Sequence, residues 1–326
     1  MKAVEYQRYG APEVLELVDV EKPGMKENEV LIKIHATSVT ATECTFRKGK
    51  PYMSRLFTGL RKPKLKRLGE ELAGEVEAVG SKVMKFKVGD RVFGTAGPGF
   101  GANAEYVCVP EDGVLCHQPE HLSFAESASS VDGFLTAMPF LRDTGRIKAG
   151  QKVLIIGASG SVGAAAVQIA KYMGTQVTGV CSTSNVTLVQ SLGADEVVDY
   201  TKTDFTEPDN TYDIIFDAVG KSSYVKCKGS LAKNGVFLEA GIGPGILPHV
   251  LWTSLFGTKK ARIAATGLRK PGERLKDLRL LRELLEKRII QPVIDRSYPL
   301  ADVAKAHAYV DTGRKKGNVV INVIAN

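Results

Sequence analysis

Apolar residues recur along this chain at two different periods, and the change from one to the other divides it. Over residues 1–122 they fall in short alternating or β-branched runs at 1–6, 14–20, 29–39, 72–80, 89–95, 104–110 and 113–118, separated by glycine and proline. Runs of this kind predict strands, and this many at this spacing predict a small barrel-like β domain. Residues 42–67 carry no strand period. They read as a long loop, a kind of segment that often lines active sites.

From Ser123 the pattern changes. Ser123 with Glu126 three residues on forms a capping box and opens a helix. Residues 152–157 are a continuous apolar run of strand length, which breaks at a turn containing Gly157, Gly160 and Gly163. Val162, Ala165, Ala166, Ile169, Ala170 and Met173 then recur at helical spacing until Gly174, and 176–182 is the next strand. A helix at 185–192, strands at 195–200 and 212–220, and segments at 222–233, 235–241 and 262–267 continue the alternation. Such alternation predicts a parallel, doubly wound α/β sheet whose ligands sit outside the strand C-termini.

The last sixty or so residues break that rhythm. Leu278, Leu281 and Leu285 give 273–288 an amphipathic helical stripe, 292–299 is extended, 302–311 helical and 318–323 an apolar strand. A return to the first domain is expected. The predicted domains are therefore 1–122 with 268–326, and 123–267.

Strand, glycine turn, helix and strand in register make the dinucleotide-binding fingerprint in an alanine variant, with Ala158, Gly160 and Gly163 in the three glycine positions. Glycine at 160 lets the backbone approach a pyrophosphate, and glycine at 163 lets the helix lie close to the strand. The turn residues Ser159, Ser161 and Val162 belong to the same candidate site, where exposed N–H groups and the helix dipole favour phosphate. An enzyme that grips the ribose of NAD places an acidic residue at the end of the second strand. No Asp or Glu occurs between Lys171 and Ala194, and Ser182 and Thr183 offer hydroxyl donors beside Asn185. NADP(H) is thus permitted, with NAD(H) also admissible.

Length and composition bound the rest. A chain of 326 residues exceeds a usual single core, and 44% hydrophobic with 25% charged residues is the balance of a soluble globular protein. No apolar stretch reaches membrane-spanning length and the N-terminus has no signal-peptide pattern, so a cytoplasmic protein without a membrane partner is expected. Cys44, Cys108, Cys116, Cys181 and Cys227 are few, odd in number and far apart, which argues against a disulfide framework or a cysteine-rich zinc lobe. The formal charge of +8 has its densest cluster at residues 61–67. A solvated loop is the preferred reading of that cluster; an anion or RNA patch is the alternative.

The chain resembles the medium-chain dehydrogenase/reductase superfamily, and within it the zinc-independent quinone oxidoreductase (zeta-crystallin-like) branch. The resemblance is carried by residues 30–39, 69–80 and 88–94, the glycine turn, 192–200 and 216–220. It implies a GroES-like β domain, a Rossmann domain and an apolar cleft where nicotinamide meets substrate. Zinc-dependent relatives bind a catalytic metal at positions that correspond here to Thr40, Glu70 and Asp132, a hard-oxygen set poorly matched to zinc, so no metal is expected. The resemblance further implies that Thr40 polarises the substrate carbonyl. Tyr52, in the loop before the basic cluster, is a candidate to flank the substrate, with an ordinary half-buried tyrosine as the alternative. Thr136, Val219, Gly241 and Ile242 would border the nicotinamide, Gly317 and Asn318 would close on it, and Tyr200 would neighbour the 2′-phosphate.

The expected activity is hydride transfer from NADPH to a quinone or an α,β-unsaturated carbonyl compound, in a homodimer. Two other readings stay open: an alcohol or aldehyde dehydrogenase, and a nucleotide-gated RNA-binding or structural protein. Nucleic acid is not the expected partner.

Overall fold

The computed structural model describes residues 1–206, 211–241 and 245–324. The chain divides into two compact units, one of Met1–Val131, Lys270–Glu286 and Pro292–Asn326, the other of Asp132–Arg269 and Lys287–Gln291.

The first unit begins with an antiparallel ribbon of β1 (Lys2–Glu5) and β2 (Glu16–Asp19). Then come β3 (Glu29–Val39), α1 (Ala41–Lys48), the short α2 (Arg55–Thr58), β4 (Glu71–Val79), β5 (Arg91–Thr95), β6 (Tyr106–Pro110) and β7 (Leu115–His117). Helix α3 (Phe124–Pro139) carries the chain into the second unit.

That unit comprises β8 (Lys152–Ile156), α4 (Ser161–Tyr172), β9 (Gln176–Cys181), α5 (Val186–Ser191), β10 (Glu196–Asp199), β11 (Tyr212–Asp217), α6 (Tyr224–Cys227), β12 (Leu231–Glu239), α7 (Ile246–Leu255) and β13 (Lys260–Ile263). Its six strands lie in the order β10-β9-β8-β11-β12-β13, all parallel. Renumbered from β8, this is the 3-2-1-4-5-6 order of a dinucleotide-binding sheet, and the strand order reverses beside β8. Leu154, Ile156, Ile215 and Phe237 fill the core of this sheet, each side chain stabilising by about 1.5–3 kcal/mol on burial.

The tail comprises α8 (Pro271–Glu286), β14 (Ile294–Pro299), α9 (Val303–Asp311) and β15 (Asn318–Asn322). β15 pairs antiparallel with the second half of β3, while β6 pairs with the first half. The first-unit sheet therefore runs β14-β15-β3-β4-β5-β7 with β6 attached to β3. Val30, Ile32, Ile34, Leu72, Val76, Val92 and Val109 form one of its cores. No helix among the described residues is long and apolar enough to cross a membrane.

Two local expectations are corrected. Residues 42–67 are not one loop, since α1 occupies their start, capped by Thr40 at one end and by left-handed Gly49 at the other. The buried side chains of α1 are Glu43, Cys44 and Arg47 rather than an apolar stripe, so the helix left no hydrophobic period to read. Arg47 is fully buried because it pairs with Asp311 at 2.5 Å and donates to the Gly10 carbonyl. Residues 222–233 hold only a single helical turn, α6, before β12 begins.

Candidate nucleotide-binding site

The turn after β8 sits where the strand order reverses. Gly157 takes a left-handed conformation (φ 76°), and its N–H and that of Ala158 both donate to the Val180 carbonyl on β9. A Cβ on Gly163 would lie 2.0 Å from the Gly157 oxygen, so only glycine lets α4 start this close to the turn. Gly160 differs: a Cβ there would meet only that same oxygen, at an ordinary 3.5 Å. Internal packing leaves room at Gly160, and that room is a cradle a diphosphate would fill.

Polar side chains join this turn to the end of β9. Asn185, 9% exposed, donates from Nδ2 to Ser159 Oγ at 2.9 Å and to Ser182 Oγ at 3.3 Å. Ser159, Ser182 and Asn185 are thus held together, and Thr183 beside them is exposed. Ser161 opens α4 and donates to Asp132 Oδ2 at 3.2 Å. On α3, Gly133 lies against the Ser161 carbonyl and half-buried Thr136 follows one turn on. Val162 is half-buried in the first turn of α4, and Ala158 is fully buried.

Across the sheet reversal, Val219 packs its side chain against Gly157 and is 46% exposed. Its backbone N–H, with those of Gly220 and Ser222, donates to the fully buried Asp217 carboxylate. Gly241 lies beside Gly220. Ile242 falls outside the described residues.

An acidic residue that no local window revealed also lies here. Parallel pairing sets Asp199 of β10 opposite Cys181 of β9, and Thr183 Oγ1 donates to Asp199 Oδ2 at 2.5 Å. The Thr183 and Thr201 hydroxyls hold the Asp199 carboxyl down to about 2, and Lys202 stands 3.7 Å away. Tyr200 next to it is exposed. Only the strand register, not a sequence window, could have brought this carboxylate to the end of β9.

The remaining predicted residues belong to the first unit. Thr40 is 6% exposed, and its Oγ1 accepts from Glu43 N at 3.2 Å as the α1 cap, which leaves the hydroxyl proton available to donate. Asn318 lies one register step beyond the Val39–Val319 pair, at the level of Thr40. Its Nδ2 donates to the Val293 carbonyl, against which Gly317 packs so closely that a Cβ would stand 2.3 Å from it. Tyr52 is 68% exposed, with the Arg55 guanidinium 4.9 Å from its ring centre. A groove of about 720 Å³ in this unit, lined by His35, Arg91, Glu105 and Tyr298, contains none of the predicted residues.

The positions corresponding to zinc ligands are engaged otherwise. Glu70 Oε1 accepts from Arg274 Nη2 at 2.6 Å, Thr40 caps a helix and Asp132 accepts from Ser161. Hydroxyl and carboxylate oxygens do not fit a zinc centre built on thiolate and imidazole.

Residues 26–119 match the sequence profile described as "Alcohol dehydrogenase GroES-like domain", and residues 192–321 match that described as "Zinc-binding dehydrogenase". The sequence is 34% identical to the 2-methylene-furan-3-one reductase of Solanum lycopersicum, over 99% of this chain and 79% of that protein. It is 31% identical to the chloroplastic NADPH-dependent alkenal/one oxidoreductase of Arabidopsis thaliana, over 98% of this chain and 79% of that one. The fold superposes on the quinone oxidoreductase of Coxiella burnetii with a TM-score of 0.87, at 29% identity and 99% coverage of both chains.

Proposed function

Because the chain belongs to the medium-chain dehydrogenase/reductase superfamily, in its quinone oxidoreductase branch, we propose that it reduces quinones or α,β-unsaturated carbonyl compounds with NADPH. The observation that carries this reading is the lacing of Ser159 and Ser182 through Asn185 at the reversal point of a 3-2-1-4-5-6 sheet. When bound, NADPH supplies a hydride, which with one proton from water reduces the acceptor by two electrons.

The residues divide the work. The N–H groups of Ser161, Val162 and Gly163 receive the diphosphate at the positive end of α4, while that of Gly160 donates to the Gly157 carbonyl within the turn. Ser182, Thr183 and Tyr200 line the adenosine ribose and its 2′-phosphate, and Lys202 offsets the Asp199 charge. Asp199 also favours a second cofactor, because a carboxylate beside Thr183 suits the free ribose hydroxyls of NADH. Thr136, Val219, Gly241, Ile242, Gly317 and Asn318 border the nicotinamide. Thr40 donates its free proton to the acceptor carbonyl and Tyr52 flanks the acceptor; Thr40→Ala should lower kcat about tenfold, and an unchanged kcat would remove Thr40 from this role.

The enzyme needs no zinc. Supporting this, the Arg274 guanidinium already neutralises Glu70, and reduction of an activated acceptor has less need of the Lewis acid that a simple alkoxide requires. It works as a homodimer. β13 pairs only with β12 among the described residues, and α7, joined to β13 where Thr253 Oγ1 accepts from Ala261 N, exposes Leu251, Trp252 and Leu255. A sheet edge without a second partner strand, beside an exposed apolar helix face, is a liability unless covered. Leu255→Asp should reduce the light-scattering mass to that of one chain; a single-chain mass for the wild type would refute the dimer.

Family membership does not set the compartment, since the Arabidopsis relative is named as chloroplastic. The test of function is a panel of quinones and enones with NADPH, scored by loss of reduced-nicotinamide absorbance. Turnover of at least one class is expected, and turnover of alcohols alone would favour the dehydrogenase reading.

A further inference from the structure

In the segment that follows α1, the usual burial of polar and apolar side chains is reversed. Ser54 and Thr58 point inward and are buried, whereas Met53, Leu56, Phe57 and Leu60 are 67%, 69%, 64% and 68% exposed. The outward display is held in place by hydrogen bonds and stacking. Tyr9 Oη meets Thr58 Oγ1 at 2.8 Å and donates to the Gly59 carbonyl, Lys64 N donates to the Thr58 carbonyl at 2.7 Å, and the Arg55 guanidinium lies 4.5 Å from the Tyr9 ring centre. Four large apolar side chains kept in water by a well-bonded support are a cost to a protein that uses them only for solubility.

Charge continues the pattern. From Cys44 to Gly69 the sequence has nine Lys and Arg and no Asp or Glu. Arg61, Lys62, Lys64 and Lys66 are exposed, directly after the apolar knob, and form no ion pair among the described residues. An apolar tip bordered by unpaired cations is complementary to a surface with an anionic outer layer and an apolar layer beneath.

We propose that residues 53–66 dock the protein peripherally on an anionic lipid bilayer. Met53, Leu56, Phe57 and Leu60 enter the headgroup boundary, and Arg61, Lys62, Lys64 and Lys66 pair with lipid phosphates. No part of the chain spans the bilayer, and the docking requires neither cofactor nor acceptor. It therefore stands or falls separately from the enzymatic activity.

The test is co-sedimentation of the full chain with vesicles of phosphatidylcholine alone or with phosphatidylglycerol, across a salt series. Wild type should partition onto the anionic vesicles and release as salt rises. Lys62→Gln, Lys64→Gln and Lys66→Gln together should weaken partitioning roughly 100-fold, since each cation contributes about fivefold near such a surface. Phe57→Asp with Leu60→Asp should weaken it at every salt concentration. These side chains are exposed, so an unchanged melting temperature is expected, and the wild-type lipid and salt series needs no variant. Equal or absent binding to the two vesicle types overturns the proposal. So does a Phe57→Asp, Leu60→Asp protein that binds vesicles normally but has lost retention of single-stranded RNA, its dimer mass or its acceptor KM.

Discussion

Arg274 Nη2 lies 2.6 Å from Glu70 Oε1, with the two side chains only 14% and 20% exposed. The carboxylate thus has a built-in cation at the position expected to correspond to a metal ligand. Activity should survive prolonged chelation unchanged, and added zinc should not raise it. Arg274→Gln, which strands a mostly buried carboxylate, should cost about 1–3 kcal/mol in urea unfolding. Loss of activity on chelation with recovery on zinc would contradict the metal-free reading.

The two glycines of the turn should separate packing from binding. Gly163→Ala drives a Cβ into the Gly157 carbonyl and should destabilise the fold by about 1–3 kcal/mol or more. Gly160→Ala has space within the protein and should leave stability within about 0.5 kcal/mol. Its NADPH affinity should nonetheless drop about tenfold, because the new methyl occupies the phosphate cradle. Thermal melts with and without NADPH distinguish the two, and equal effects in both assays would contradict the assignment.

Cofactor preference should respond to Asp199. With its carboxyl held down to about 2 by the Thr183 and Thr201 hydroxyls, it is ionised throughout the working pH range and repels a second anion at the end of β9. Asp199→Asn should raise kcat/KM for NADPH relative to NADH roughly fivefold, the scale of one unscreened contact in water. An unchanged ratio would place the 2′-phosphate elsewhere.

The thiols give a pH signature. Burial pushes all five upward, Cys108, Cys116 and Cys181 to about 11 and Cys44 and Cys227 in the same direction. Raising a thiol pKa lowers its thiolate fraction at neutral pH, so the native protein should react slowly with disulfide reagents near pH 8. The rates at Cys108, Cys116 and Cys181 should climb with pH until about 11, and all five thiols should react promptly once unfolded. A rapid thiol at pH 7 in the native protein would show that Cys44 or another cysteine is activated.

How much of this was readable beforehand follows from where the information lies. The strand–turn–helix–strand at 152–182 was legible because its buried residues are apolar at the right period, and the steric demand at Gly163 is a local property of the turn. Helix α1 was not, since Glu43 and Arg47 occupy its buried face and are engaged by partners distant in sequence, Glu70 N for Glu43 and Asp311 for Arg47. Asp199 was missed for a related reason. Its approach to Thr183 depends on the β9–β10 register, which no window along the chain contains. The outward display of Leu56 and Phe57 likewise appears only when Ser54 and Thr58 are seen to be buried.

The central claim is hydride transfer from a nicotinamide held over the turn at 157–163 to an activated acceptor. It is tested most directly by single turnover with NADPH deuterated at nicotinamide C4 and an enone, followed by mass spectrometry of the product. One deuterium at the β-carbon, delivered from only one of the two C4 positions, is the predicted result, with the yield of labelled product about tenfold lower in Gly160→Ala at limiting cofactor. Product without label, or no product with any enone or quinone, would contradict it.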